Sequence, residues 1–245
     1  MISIKSTFTT DQIWNECCHF FSALFDWLAK DFWKTEEISD EQSEVFRSTC
    51  LNFYKRKTID RLTLFDKIES RSTFRNCNIN GLAERSAIDL LSEIDWTTLS
   101  NGIPSRFHGD LQFDNILYSE TKGFTLIDWR QDFSGLTDYG DRYYDYAKLL
   151  GGMIISYKQI KEGNFSFEFD GINAVFELPT VAALQEVKEK YYSFLDQSDV
   201  DLQRVCILTA LIFLNMSPLH SYPFSHLLNV LGRASLSKSL RGVSL

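Results

Sequence analysis

The sequence predicts a mostly helical α+β domain with a small β insert. Three observations point to it: apolar stripes at helical spacing ahead of residue 95, two short apolar runs around Thr121-Lys122-Gly123, and helix-length apolar runs between Pro179 and Leu240. With 245 residues and 44% apolar composition, the chain is long enough to bury a real core and too apolar to be disordered. Phenylalanine, 20 residues of the 245, suits a helical core filled by large side chains.

Each element has a local reason. Thr10-Asp11 is a helix start, followed by Trp14, Phe20, Phe21, Leu24, Phe25 and Leu28 on one stripe. Ser39-Asp40 starts a second helix that leads to Val45, Phe46, Phe53 and Tyr54, and a third carries Ile59, Leu62, Phe65 and Ile68. Ser70 to Gly81 is polar and reads as a loop; Leu82 to Ile94 reads as helix again. Asn101-Gly102-Ile103-Pro104 breaks the pattern. Arg106 to Asn115 is too polar, at irregular spacing, for a buried helix. Ile116-Leu117-Tyr118 and Phe124-Thr125-Leu126-Ile127 are two strands about a turn. Tyr143 to Tyr157 is helical. Phe165, Phe167 and Phe169 alternate with polar residues ahead of Asp170-Gly171, which predicts a hairpin. Three helices fill Pro179 to Leu240, with Val200 to Met216 the most buried. The whole reads as one domain in three segments: 1–105 helical, 106–150 polar loop and hairpin, 151–245 hairpin and terminal helices.

Composition excludes several functions. A formal charge of −8, from 25 basic and 33 acidic residues, argues against general affinity for nucleic acid. The cysteines Cys17, Cys18, Cys50, Cys77 and Cys206 form no C-x-x-C pair and no closed disulfide framework, which fits free thiols in a reducing cytoplasm. Neither they nor His19, His108, His220 and His226 show zinc spacing. Met1 to Thr10 lacks a secretion signal, and Val205 to Met216 is too short to span a bilayer, so the expectation is a cytoplasmic protein with no membrane partner.

The informative stretch is His108-Gly109-Asp110-Leu111-Gln112-Phe113-Asp114-Asn115, followed after the short hairpin by Leu126-Ile127-Asp128-Trp129. H-x-D-x-x-x-x-N with a later Asp at the end of an apolar strand is the layout of a kinase catalytic loop and metal-binding Asp. Phosphoryl transfer needs a carboxylate beside the attacking hydroxyl and oxygen ligands that hold Mg²⁺ against the phosphates. A short loop puts Asp110 and Asn115 on one side of a site, and the hairpin returns Asp128 to it. His108 is expected to brace the loop rather than to react.

This text, together with Asp141-Arg142-Tyr143-Tyr144-Asp145-Tyr146-Ala147, resembles the aminoglycoside phosphotransferase and choline kinase family of small-molecule kinases. The resemblance covers about Arg106 to Leu150. Gly109 stands where protein kinases carry Arg, as this family has it. The resemblance implies a protein-kinase-like C-terminal lobe using ATP and Mg²⁺, with Asp110 as catalytic base and Asn115 and Asp128 as metal ligands. It also implies that Asp145, in the family's D-h-A element, braces the loop.

Family members also carry a β-rich amino-terminal lobe over ATP, with a glycine loop and a strand Lys. The 107 residues ahead of His108 read as helices, hold only Gly81 and Gly102, and put Lys55, Lys57 and Lys67 in helical or polar text. The expectation is that the nucleotide-covering lobe is absent from this chain. The chain is then a fragment, or takes the lobe from a separate polypeptide, or is a kinase-like binding module that does not catalyse. Carboxylates beside aromatic residues, with Trp129, Arg130, Asp132 and Tyr143 as candidate substrate contacts, would suit a choline-like or amino-sugar acceptor. Core packing and helix capping account for the same residues. The run Asp128 to Phe133 resembles bacterial members of surface-polysaccharide synthesis, which would favour a sugar alcohol.

Overall fold

The computed structural model describes residues 2–3, 14–69 and 75–245, without the side chains of residues 2–3, 14–18 and 69. The helix start expected at Thr10-Asp11 and the loop text of 70–74 lie outside them. The first elements are β1 (Ile2–Ser3) and α1 (Trp14–Trp27), which continues through one wider π-type turn, Leu28–Phe32. Ser39 and Gln42 then form a reciprocal capping box, Ser39 N donating to Gln42 Oε1 at 2.9 Å and Gln42 N to Ser39 Oγ at 3.3 Å. That fixes the start of α2 (Asp40–Leu51), which passes through a second π-type turn, Asn52–Arg56, into α3 (Lys57–Glu69).

Two expectations are corrected next. Part of the text taken as loop is the strand β2 (Cys77–Ile79), and the start of the expected helix is the strand β3 (Leu82–Glu84). Asn80-Gly81, both at positive φ (48° and 80°), turns the chain between them. The helix itself is shorter, α4 (Ala87–Ser92), capped by Ser86 Oγ accepting from Asp89 N at 3.1 Å. After α5 (Trp96–Ser100) come β4 (Pro104–Ser105), β5 (Ile116–Ser119), β6 (Gly123–Leu126) and β7 (Gly140–Asp141). The expected helix over 143–157 ends earlier, as α6 (Arg142–Ile154), with a separate short α7 (Tyr157–Lys161). The second hairpin is present as β8 (Ser166–Phe169) and β9 (Asn173–Glu177). The three expected terminal helices follow: α8 (Ala182–Gln197), α9 (Leu202–Met216) and α10 (Phe224–Leu240). The chain is thus α-rich with small mixed sheets.

The chain forms two compact units. The first comprises Met1–Phe46, Gly102–Ile154 and Thr180–Leu202, the second Arg47–Asn101, Ile155–Pro179 and Gln203–Leu245. In the first, β5 is central in the antiparallel sheet β1-β5-β6, and β4 pairs with β7. Its core is aromatic: Phe21 meets Phe113 at 5.3 Å, Phe25 meets Tyr191 at 5.0 Å, and Trp33 meets Tyr146 edge-on at 4.6 Å. Tyr191, fully buried on α8, donates its hydroxyl to the Tyr146 carbonyl on α6 at 3.1 Å.

The second unit holds the sheet β3-β2-β9-β8, in which β2 and β9 run parallel. Residues 204–214 of α9 are buried throughout. The apolar run here is longer than the sequence reading took it to be. Leu202–Leu219, 18 residues of mean hydropathy 1.5, is long and apolar enough to cross a membrane, but 61% of it is buried inside the protein. Arg233 on α10 is buried and donates to the carbonyls of Arg75, Glu84 and Arg85, which ties α10 to β3 and its flanks. Cys50, Cys77 and Cys206 are free thiols.

Candidate active site

The loop from Phe107 to Asn115 is irregular because its polar groups bond across the first unit instead of along a helix. The pairing of β4 with β7 sets Ser105 opposite Gly140 and so brings the start of α6 beside the start of the loop. Asp145, in the first turn of α6, is fully buried and accepts from His108 N at 2.9 Å, Gly109 N at 2.8 Å and the Trp33 indole N–H at 3.2 Å. One side chain thereby supplies the acceptors that two successive buried loop amides need. Burial pushes its carboxyl up to about 7, against the opposing pull of those three donors.

Gly109 sits at φ 81°, where a side chain is strained. A Cβ there would lie 2.6 Å from both Arg130 Cβ and the Phe107 ring, so the position admits glycine and excludes the arginine of protein kinases. The reversal lets the loop turn outward at Asp110.

His108 joins the loop to the hairpin. Its Nε2–H donates to the Ile127 carbonyl at 2.9 Å, and its Nδ1 accepts from Asp110 N at 3.1 Å. A carbonyl can only accept and an amide N–H can only donate, so these partners select the neutral imidazole with its proton on Nε2. Burial acts in the same sense and lowers its pKa, against the Ile127 carbonyl and the charges of Asp110 and Asp128. Both carboxylates are therefore within electrostatic reach of one ring. Ile127 N also donates to the Asn115 carbonyl at 3.0 Å, so the residue before Asp128 is tied to both ends of the loop.

Two of the three oxygen-bearing side chains, Asp110 and Asn115, meet within this knot, and Asp128 follows directly on the strand end that it holds. Asn115, buried, donates its amide nitrogen to the Asp110 carbonyl at 2.8 Å and to Asp110 Oδ2 at 3.3 Å, which leaves its amide oxygen as the atom for a cation. Asp128 is exposed at φ 59°, a left-handed residue where strand gives way to loop. A carboxylate and an amide oxygen are hard donors of the kind Mg²⁺ takes, in the small number it uses when phosphate oxygens complete its shell. Among the described residues no cluster of three His, Cys, Asp or Glu offers a closed metal cage.

The model of the phosphotransferase enzyme family matches residues 61–165. That span contains the loop, the hairpin and the whole of α6. No curated protein and no solved structure matches the chain. The match carries phosphotransferase activity in general, in a family whose kinases generally use ATP and Mg²⁺.

The remaining candidates within the matched segment lie in different surroundings. Trp129 is half-exposed, packs 5.2 Å from the His108 ring and 5.3 Å from Phe32, and donates to the Leu126 carbonyl. Arg130 donates its amide to the His108 carbonyl at 2.9 Å, with its guanidinium 5.9 Å over Tyr144. Asp132 Oδ1 accepts from Gly135 N at 2.7 Å, the bond of a turn former. Tyr143 is buried, and its hydroxyl accepts from Asp201 N at 3.3 Å, in the segment that follows α8.

Two residues join the site without having been singled out in the sequence. Gln112 Nε2 donates to Asp110 Oδ2 at 3.3 Å, and Lys148 Nζ lies 2.6 Å from Asp110 Oδ1. Lys148 follows Asp145 by three residues on a helix, a spacing that puts both on one face, and that was the available signal.

Proposed function

We propose that this chain moves the γ-phosphate of ATP to a hydroxyl of a small molecule. The observation that carries the reading is the knot at His108, through which the Asp110 loop and the strand end before Asp128 are held to one another. In this reading Asp110 orients the acceptor hydroxyl and takes its proton, while Asn115 and Asp128 hold Mg²⁺. His108 and Asp145 keep the loop in place without touching the reacting atoms. Mg²⁺ supplies charge neutralisation to the phosphates. The protein supplies alignment, which in phosphoryl transfer accounts for most of the catalysis.

The acceptor would be choline-like, an amino sugar, or a sugar or sugar alcohol. Half-exposed Trp129 and the acids of this surface support a cation, and Asp132→Asn should weaken binding of a cationic acceptor; unchanged affinity moves the reading to a neutral sugar. The protein would act in the cytoplasm, independently of nucleic acid or membrane.

The test is ADP release across a panel of amino and sugar alcohols, with Asp110→Asn as control. Turnover should fall about 10²–10⁴-fold in that variant, the usual contribution of a positioned general base, while Mg²⁺-ATP affinity holds. Equal rates in both proteins would sink the assignment.

A second reading, a kinase-like binding or regulatory module, is favoured by one observation. Residues 14–69, ahead of the loop, are helical apart from the segment Trp33–Ser39, as the sequence reading expected, where the family resemblance implies a strand-rich cover over the phosphates. Titration of the chain with Mg²⁺-ATP separates the two: under the module reading it binds weakly and without turnover.

A further inference from the structure

The carboxylate proposed as base is held from two sides. Oδ2 takes the amide nitrogens of Asn115 and Gln112, both from the same loop, at 3.3 Å. Oδ1 takes the ammonium of Lys148 at 2.6 Å, and this partner comes from α6. The Lys148 side chain is only 13% exposed, whereas that of Asp110 is 33% exposed. A long, strongly hydrated cation is rarely covered to this degree without a specific partner, because the lost hydration must be offset locally. The charge is therefore built into the site at the very atom where the acceptor hydroxyl would sit.

We propose that Lys148 is a catalytic residue of this site, its ammonium contacting the transferring phosphoryl group. The proposal deepens the kinase reading and rests on it. In the transfer, the bond from the γ-phosphorus to the oxygen it shares with ADP breaks, and a bond to the acceptor oxygen forms. The hydroxyl proton passes to Asp110, and ADP leaves with the electron pair of the broken bond. An acceptor oxygen within hydrogen-bond reach of Asp110 lies next to Lys148 as well, because the two side chains are themselves in contact. An ammonium has three N–H donors in all directions around its nitrogen, so it can keep Asp110 and add a phosphoryl oxygen. Lys148 gives up no proton in this step. It offsets the negative charge that the equatorial oxygens carry, in a place already withdrawn from water. Among the motif residues, Asp110, Asn115 and Asp128 bring acid or amide groups only.

The readout that separates this role from simple support of the fold is nucleotide selectivity. A cation on the transferring group senses ATP and not ADP, so the chain should bind Mg²⁺-ATP more tightly than Mg²⁺-ADP by isothermal titration. In Lys148→Met that preference should shrink about tenfold, with Mg²⁺-ADP affinity unchanged, and turnover should fall roughly 10²–10³-fold, as when one transition-state donor is removed. Lys148→Arg should keep most of the preference. Asp110 is open enough to solvent to stand without its partner; if the Met variant nonetheless loses its cooperative melt, Lys148→Gln takes its place. A native protein that binds Mg²⁺-ATP, paired with a Met or Gln variant that keeps the full ATP preference, overturns the role of Lys148 and leaves the kinase reading standing. No Mg²⁺-ATP binding by the native chain overturns both.

Discussion

At the scale of single residues, Asp145 puts a carboxyl group where no water reaches it, with three N–H groups directed at its two oxygens. Its folded pKa of about 7 lies above the ordinary 3.8, so between those values the native state binds more protons than the unfolded chain. The stability this group contributes is complete below about pH 4 and is lost as pH rises through 7. Asp145→Asn cannot accept on both arms and should cost about 1–3 kcal/mol at pH 5 by denaturant unfolding. The gap between the two proteins should then narrow toward pH 8; a gap that widens refutes this account. Gly109→Ala meets both a positive φ and two contacts at 2.6 Å, and should lose about 2–4 kcal/mol. An unchanged melting temperature would contradict it. The contacts among His108, Asp110 and Asn115 were legible because they lie within one short loop. Lys148 was not, since its partner is fixed by the packing of α6, 38 positions on from Asp110. Tyr143 was drawn to the substrate side by its neighbours in sequence, but helical periodicity turns it to the core.

At the scale of elements, local rules worked where an element carries its own signal. The Ser39–Gln42 box marks the start of α2, and Ser39→Ala should destabilise the protein by about 1 kcal/mol, read as a shift in the denaturant midpoint at constant slope. No shift would mean the box is idle in solution. The hairpin around Thr121–Gly123 and the one around Asp170-Gly171 were both readable from alternation and turn residues. The β2–β3 hairpin was not read, although Asn80-Gly81 is a strong turn signal. Its strands are three residues each, too short for a period to register, and Leu82-Ala83-Glu84 suits a helix equally well. What holds β2 in extended form is parallel pairing with β9, some 95 residues away, which no local window contains.

At the scale of the whole molecule, the apolarity of α9 and the burial of Arg233 have one explanation: both are satisfied inside the second unit, by side-chain packing in one case and by three backbone carbonyls in the other. Arg233→Ala would take a buried donor from those carbonyls and should cost about 3 kcal/mol or more in global unfolding. A ligand that binds only the folded chain raises its stability by mass action. Mg²⁺-ATP at ten times its Kd should add about 1.4 kcal/mol, and Asp128→Asn should abolish most of that gain. A melting temperature indifferent to Mg²⁺-ATP in both proteins would contradict the nucleotide reading. The geometry of α6 carries a lesson for redesign. Asp145 and Lys148 stand about 4.5 Å apart along its axis, less than one turn, and grip three successive residues of the same loop, His108, Gly109 and Asp110. A graft of His108–Asn115 into another scaffold would therefore arrive unanchored and without its neighbouring positive charge. The smallest portable piece is the loop together with that helix, mounted at the angle that the β4–β7 clasp dictates.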